Sequence, residues 1–121
     1  LGFKSVEDLL KNWENDHVNN WDANNLLTKI LTWQNSNIGN GPIYKGDYLK
    51  ALKSIKAKTI LMPCSDDLYF PPEDNRLESN YINNAELRIF NSSWGHCVAN
   101  PGNDKGFELA LDQAINDLLT Y

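Results

Sequence analysis

The stretch Lys58-Thr59-Ile60-Leu61-Met62-Pro63-Cys64-Ser65-Asp66-Asp67-Leu68-Tyr69-Phe70-Pro71-Pro72, with its continuation in Ser92-Ser93-Trp94-Gly95-His96, decides the fold. The run Ala57 to Met62, apolar but for Lys58 and Thr59 and bounded by Pro63, suits a strand buried on both faces. It delivers an acidic pair into a proline-rich turn. A second apolar segment, Ala85-Glu86-Leu87-Arg88-Ile89-Phe90, alternates as a strand does and delivers a glycine and a histidine into a loop. An acid and then a histidine, each just past a strand, is the order in which the last two members of a nucleophile–acid–histidine triad follow one another.

Around these strands the helices are legible from caps and spacing. Gly46-Asp47 opens a short helix carrying Tyr48, Leu49, Leu52 and Ile55. Pro72-Glu73-Asp74 opens another, with proline near the first turn and acids at the positive end of the helix dipole. From Asn103 or Asp104 a long helix runs to the C-terminus, with Phe107, Ala110, Leu111, Ala114, Ile115 and Leu118 as its apolar stripe. From residue 46 on the order is helix, strand, helix, strand, helix, which predicts parallel strands with flanking helices. Two parallel strands alone leave open edges. The pattern therefore resembles the last two strands of a larger sheet.

Upstream the pattern differs. Ser5-Val6-Glu7-Asp8 reads as a capped helix start, with Val6, Leu9, Leu10, Trp13 and His17 at helical spacing. Asp22 caps a second helix, in which Leu26, Leu27, Ile30 and Leu31 share a face, and Gly39-Asn40-Gly41-Pro42 ends it. Residues 1–44 thus predict a helical cap, and residues 45–121 a segment of α/β core.

Composition narrows the classes. The net charge is −5 with no basic cluster, which excludes nucleic acid and anionic membrane as natural partners. No apolar run reaches the roughly 18 residues of a membrane span. Cys64 and Cys97 are too few for a disulfide framework and lack metal-site spacing, so a reducing cytoplasm and no metal are expected. Asparagine is frequent but forms no tract. The chain begins Leu1-Gly2-Phe3-Lys4, without a signal-peptide pattern or a starting methionine, and so reads as a processed chain or a fragment.

In an open α/β sheet, sites lie beyond the carboxyl ends of the strands, where both Asp67 and His96 fall. A carboxylate there can hold an imidazole in one tautomer and stabilise its cation. Taken singly, Asp67 could be a turn aspartate and His96 a loop histidine packed on Trp94. Asp66 competes with Asp67, and spacing does not separate them. Other candidates have plainer readings. Cys97 adjoins His96, so their side chains diverge; Cys64 is a small strand-end residue. His17 suits a helix surface or core edge. Asp22, Asn24 and Asn25 form a helix cap, and Trp13, Trp21, Trp33 and Trp94 are packing residues. Among Ser5, Ser36, Ser54, Ser65, Ser79, Ser92 and Ser93 none lies in Gly-x-Ser-x-Gly.

Asp22-Ala23-Asn24-Asn25-Leu26-Leu27, running on to Leu31-Thr32-Trp33-Gln34, resembles the lid helices of the homoserine O-acetyltransferase family of α/β-hydrolase-fold proteins. Leu61 to Glu73 resembles that family's acid-bearing segment, and Ser93-Trp94-Gly95-His96 its histidine segment. The resemblance implies the C-terminal part of an α/β-hydrolase fold preceded by a helical lid segment. The family's aspartate is followed by two residues, then Phe and a proline turn, a frame that Asp67-Leu68-Tyr69-Phe70-Pro71-Pro72 fits and that favours Asp67 over Asp66. It also implies His96 as general base and acetyl-CoA as acyl donor of the complete enzyme, with no cofactor held. The acetyl group would pass to a hydroxyl acceptor such as homoserine. Relatives transfer to other acceptors or hydrolyse. The nucleophile would come from a missing N-terminal half or a second chain; a non-catalytic interaction module and a homo-oligomer formed through open strand edges are the other expectations.

Overall fold

The computed structural model describes residues 2–120 and divides into two compact units, one ending at Asn37 and one beginning at Ile38. The first unit holds two helices. Helix α1 (Val6–Asn20) starts where the Ser5 side chain accepts from the Asp8 N–H, and α2 (Ala23–Asn35) where Asp22 accepts from the Asn25 N–H. Each cap satisfies one of the N–H groups that a helix start leaves unpaired. No residue of either helix is buried. Leu10, Trp13, Leu27, Ile30 and Trp33 are exposed, so the amphipathic stripes are present but not covered within the unit. No helix among the described residues is long and apolar enough to cross a membrane.

The second unit is the α/β part. Gly39 is buried against the backbone of Asp47 and Tyr48, where a Cβ would meet three backbone atoms within 2.8 Å, so only glycine lets these segments approach. Asp47 then caps α3 (Tyr48–Lys53). Strand β1 (Thr59–Leu61) pairs in parallel with β2 (Ala85–Leu87), with Thr59 opposite Ala85 and Leu61 opposite Leu87. Helix α4 (Pro72–Ser79) lies between them in sequence, starting with Pro72 in its first turn, and packs on β2; α5 (Lys105–Leu119) follows.

Both strands are shorter than the apolar runs that predict them. The regular ladder covers three residues, and Pro63 then brings no N–H to it. Pairing continues beyond as an isolated bridge between Cys64 and Phe90. Thr59 donates to the Asn84 carbonyl, and the Leu61 and Pro63 carbonyls accept from Arg88 and Phe90. The alternation of a parallel ladder turns the backbone groups of Ile60 and Met62 toward the opposite edge.

A small core sits at the carboxyl end of the strands. Cys64, Val98 and Phe107 are buried, and Met62, Phe90 and Trp94 pack on them. Phe107 meets Phe90 edge to face, with ring centroids 5.4 Å apart. Arg88 pairs with Glu86 and with Asp117 at 2.7 Å each, joining the end of β2 to α5.

Candidate functional site

Beyond Cys64 the chain turns back on itself. The Asp67 N–H donates to the Cys64 carbonyl at 3.2 Å, which buries the Asp67 side chain while Asp66 stays exposed. Asp67 Oδ1 accepts the N–H groups of Tyr69 at 2.8 Å and Phe70 at 3.0 Å, an aspartate turn of the usual kind. Oδ2 is thereby left for the second strand's loop, where His96 Nδ1 lies 3.1 Å away. Asp66 takes no part; its Oδ1 accepts from Ser65 Oγ at 3.0 Å.

His96 stands on a short 3-10 helix, Gly95–Ala99, where the sequence suggested an irregular loop. Gly95 makes the approach feasible. Its φ is +53°, and a Cβ would lie 2.8 Å from the Asp66 carbonyl oxygen, so the two loops touch backbone to backbone. The turn is also tied to α5. Ser92 Oγ donates to Asp104 Oδ2 at 2.7 Å and accepts the Trp94 N–H at 3.3 Å. Asp104 Oδ1 caps α5 through the N–H groups of Gly106 and Phe107, and Asn103 Nδ2 donates to the Cys97 carbonyl.

Burial pushes the Asp67 carboxyl up, but hydrogen bonds from the Phe70 N–H, His96 and the Tyr69 N–H outweigh it and hold the carboxyl below the ordinary aspartate range. An ionised carboxylate only accepts, so Nδ1 of His96 carries a proton and a neutral imidazole keeps its lone pair on Nε2. That nitrogen has no hydrogen-bond partner among the described residues. The imidazole is 42% exposed, and it borders a cavity of about 460 Å³ walled by Met62, Cys64, Asp67, Phe70 and Phe107. Glu78, also on the wall, accepts from the Tyr48 hydroxyl at 2.8 Å; burial and Glu78 push that hydroxyl up to about 12, so it remains a donor.

The depressed Asp67 carboxyl sets an acid dependence. A group whose folded value lies below its unfolded value stabilises fully above the ordinary range near pH 4, and the gain is lost as pH falls through the folded value. Urea midpoints measured against pH are expected to drop on that acid side for the wild-type chain, with Asp67→Asn lacking this component. Parallel curves for the two proteins would contradict it.

The other sequence candidates lie apart from this pair. His17 stacks between Trp13 and Trp21 on α1, with centroids 5.4 and 5.9 Å away. Cys64 is buried beside the cavity with its thiol donating to the Ser92 carbonyl, while Cys97 is exposed. Trp94 belongs to the core cluster; the rings around His96 are instead Tyr69 and Phe70. Sequence reading missed these two rings, the Ser92–Asp104 tie and the Gly95 contact. Only the Asp-x-x-Phe spacing and the glycine before the histidine hinted at them.

No protein-family model matches the chain. It is 35% identical over 120 residues to an ethyl acetate hydrolase of Pseudomonas veronii, a match covering 99% of this chain and 34% of that protein. The crystal structure of the acetyl esterase MekB superposes with a TM-score of 0.84 at 34% identity, over 99% of this chain and 34% of that one. The chain has the fold of the C-terminal part of an α/β-hydrolase. Its parallel strands, flanking helices and preceding helical lid segment all lie within that match. Similarity to a homoserine O-acetyltransferase of Trichormus variabilis is lower, 28% over 79 residues, covering 65% of this chain and 21% of that protein. The resemblance to transferases thus holds in part, and the stronger likeness is to esterases. The chain spans about a third of the length of these two esterases.

Proposed function

We propose that this chain supplies the acid and the base of an esterase that hydrolyses small acetyl esters. The observation that carries the reading is the His96 Nδ1 to Asp67 Oδ2 contact at 3.1 Å, which leaves Nε2 as the free basic nitrogen at the edge of a cavity. Similarity to an ethyl acetate hydrolase and an acetyl esterase supports an ester as substrate. No serine hydroxyl bonds to His96 among the described residues; Ser65 and Ser92 are engaged with Asp66 and Asp104. The nucleophile is therefore a serine outside these 121 residues, in the same polypeptide or in a second one.

In this reading His96 Nε2 takes the serine proton as the serine oxygen attacks the ester carbonyl. The imidazolium, held by Asp67, gives that proton to the departing alcohol, leaving an acyl-serine. Water then attacks the acyl carbon, giving up its proton to Nε2. Collapse returns that proton to the serine oxygen and releases the acid. Hydrolysis needs no acyl donor beyond the ester itself. The unpaired cysteines fit a reducing cytoplasm, where we place the protein.

The test is an assay of the full-length protein on short acetyl esters in water, with and without acetyl-CoA and a hydroxyl acceptor such as homoserine. Hydrolysis independent of acetyl-CoA is the expected result. Turnover only with acetyl-CoA and the acceptor would replace this reading with the transferase one. The 121-residue chain alone is expected to show neither activity, and turnover by the rigorously purified chain would overturn the external serine.

A further inference from the structure

Leu68, Tyr69 and Phe70 form an apolar run at a loop, and they are 94%, 61% and 52% exposed. Three consecutive exposed apolar side chains gain little from burial, yet the segment is not idle. Its backbone and its rings converge on the same two side chains. The N–H groups of Tyr69 and Phe70 fix Asp67 Oδ1, which directs Oδ2 to His96. The Tyr69 ring lies 4.7 Å from the imidazole, centroid to centroid and tilted 45°; the Phe70 ring lies 5.3 Å away, tilted 48°.

We propose that Tyr69 is a positioning residue for His96, a role that rests on the esterase reading above. Its ring restrains the imidazole so that Nδ1 stays on Asp67 Oδ2, and its π electrons favour the imidazolium that forms when Nε2 takes a proton. The stabilisation is selective for the transition state, because the neutral imidazole of the resting enzyme gains less from the ring quadrupole. Phe70 shares the contact but also walls the cavity, so a substrate contact would account for any effect of its removal. Tyr69 does not border the cavity. Losing its ring should therefore act on the chemical step and not on substrate binding, which separates the two aromatic neighbours.

Two measurements on the full-length protein test this. Tyr69→Leu is expected to lower kcat on an acetyl ester about tenfold, with KM essentially unchanged, while Tyr69→Phe, which keeps the ring, retains wild-type kcat. Circular dichroism establishes that both variants are folded before their kinetics are compared. The second readout does not need activity. In the full-length protein the His96 ring resonance is identified as the one that disappears in His96→Gln. That resonance should move in Tyr69→Leu, where the ring current is lost, and stay in Tyr69→Phe. A raised KM with intact kcat, equal losses in the Leu and Phe variants, or an unmoved His96 resonance would each overturn the proposal. If the wild-type protein hydrolyses no ester although the resonance moves as expected, the esterase reading fails and with it the catalytic use of a ring contact that is nonetheless present.

Discussion

Replacing His96 with alanine in the full-length protein is expected to lower ester turnover by about a million-fold, while circular dichroism and the thermal midpoint change little. The two halves of this expectation have separate causes. Nε2 is the one basic nitrogen at the cavity edge that the Asp67 contact leaves free, so nothing nearby substitutes for it. Structurally the ring is exposed, and its loss removes one hydrogen bond and two aromatic contacts without opening a cavity in the core. Asp67→Asn should cost about ten-thousandfold. An asparagine Oδ1 can still accept from Tyr69 and Phe70, which places its NH2 group against Nδ1. The imidazole must then accept at Nδ1 and carry its proton on Nε2, the wrong tautomer for taking a proton from serine. Asp66→Asn serves as the contrast, because Asp66 is exposed and touches Ser65 instead of His96. A severe loss in Asp66→Asn with normal turnover in Asp67→Asn would reverse the assignment.

How far these positions can be read without coordinates depends on the range of the interaction. Local signals are faithful. Ser5, Asp22, Asp47 and Asp104 all cap the helices their spacing announces, and Pro72 stands in the first turn of α4. The centres of both strands are legible from their apolar residues, but their ends depend on how far a partner strand follows, so three residues pair regularly where each predicted run spans six. Amphipathic spacing in α1 and α2 identifies the faces that seek cover; it says nothing of what covers them, and within their unit they remain open. Contacts across about thirty residues are the hardest. Trp94 is two residues from the imidazole in sequence, but the turn into the 3-10 helix sends it into the core, and the neighbours of His96 are Tyr69 and Phe70 from the other loop. The choice between Asp66 and Asp67 is of the same kind. One residue of register decides which carboxylate is buried by the turn at Cys64 and which faces water.

Gly95 concentrates this long-range geometry in one atom, and Gly95→Ala is the second large effect expected. Two penalties add. At φ +53° a residue with a Cβ pays a conformational cost of about 1 kcal/mol. The new methyl carbon would also lie 2.8 Å from the Asp66 carbonyl oxygen, a backbone atom that cannot swing aside. Relief requires the two loops to separate, for a combined loss of about 3 kcal/mol in stability. Separation also lengthens the His96–Asp67 contact, which the same loops hold at 3.1 Å, so turnover should fall about a hundredfold even where the variant remains folded. Gly102→Ala isolates the first penalty. Its φ is +85° but a Cβ there would meet nothing within 4 Å, so it should lose only about 1 kcal/mol and keep its activity. Chemical denaturation and ester kinetics on the two variants, side by side, therefore distinguish strain from steric displacement. Equal losses in both would mean that backbone conformation alone is responsible and that the contact between the loops does not set the distance between the acid and the base.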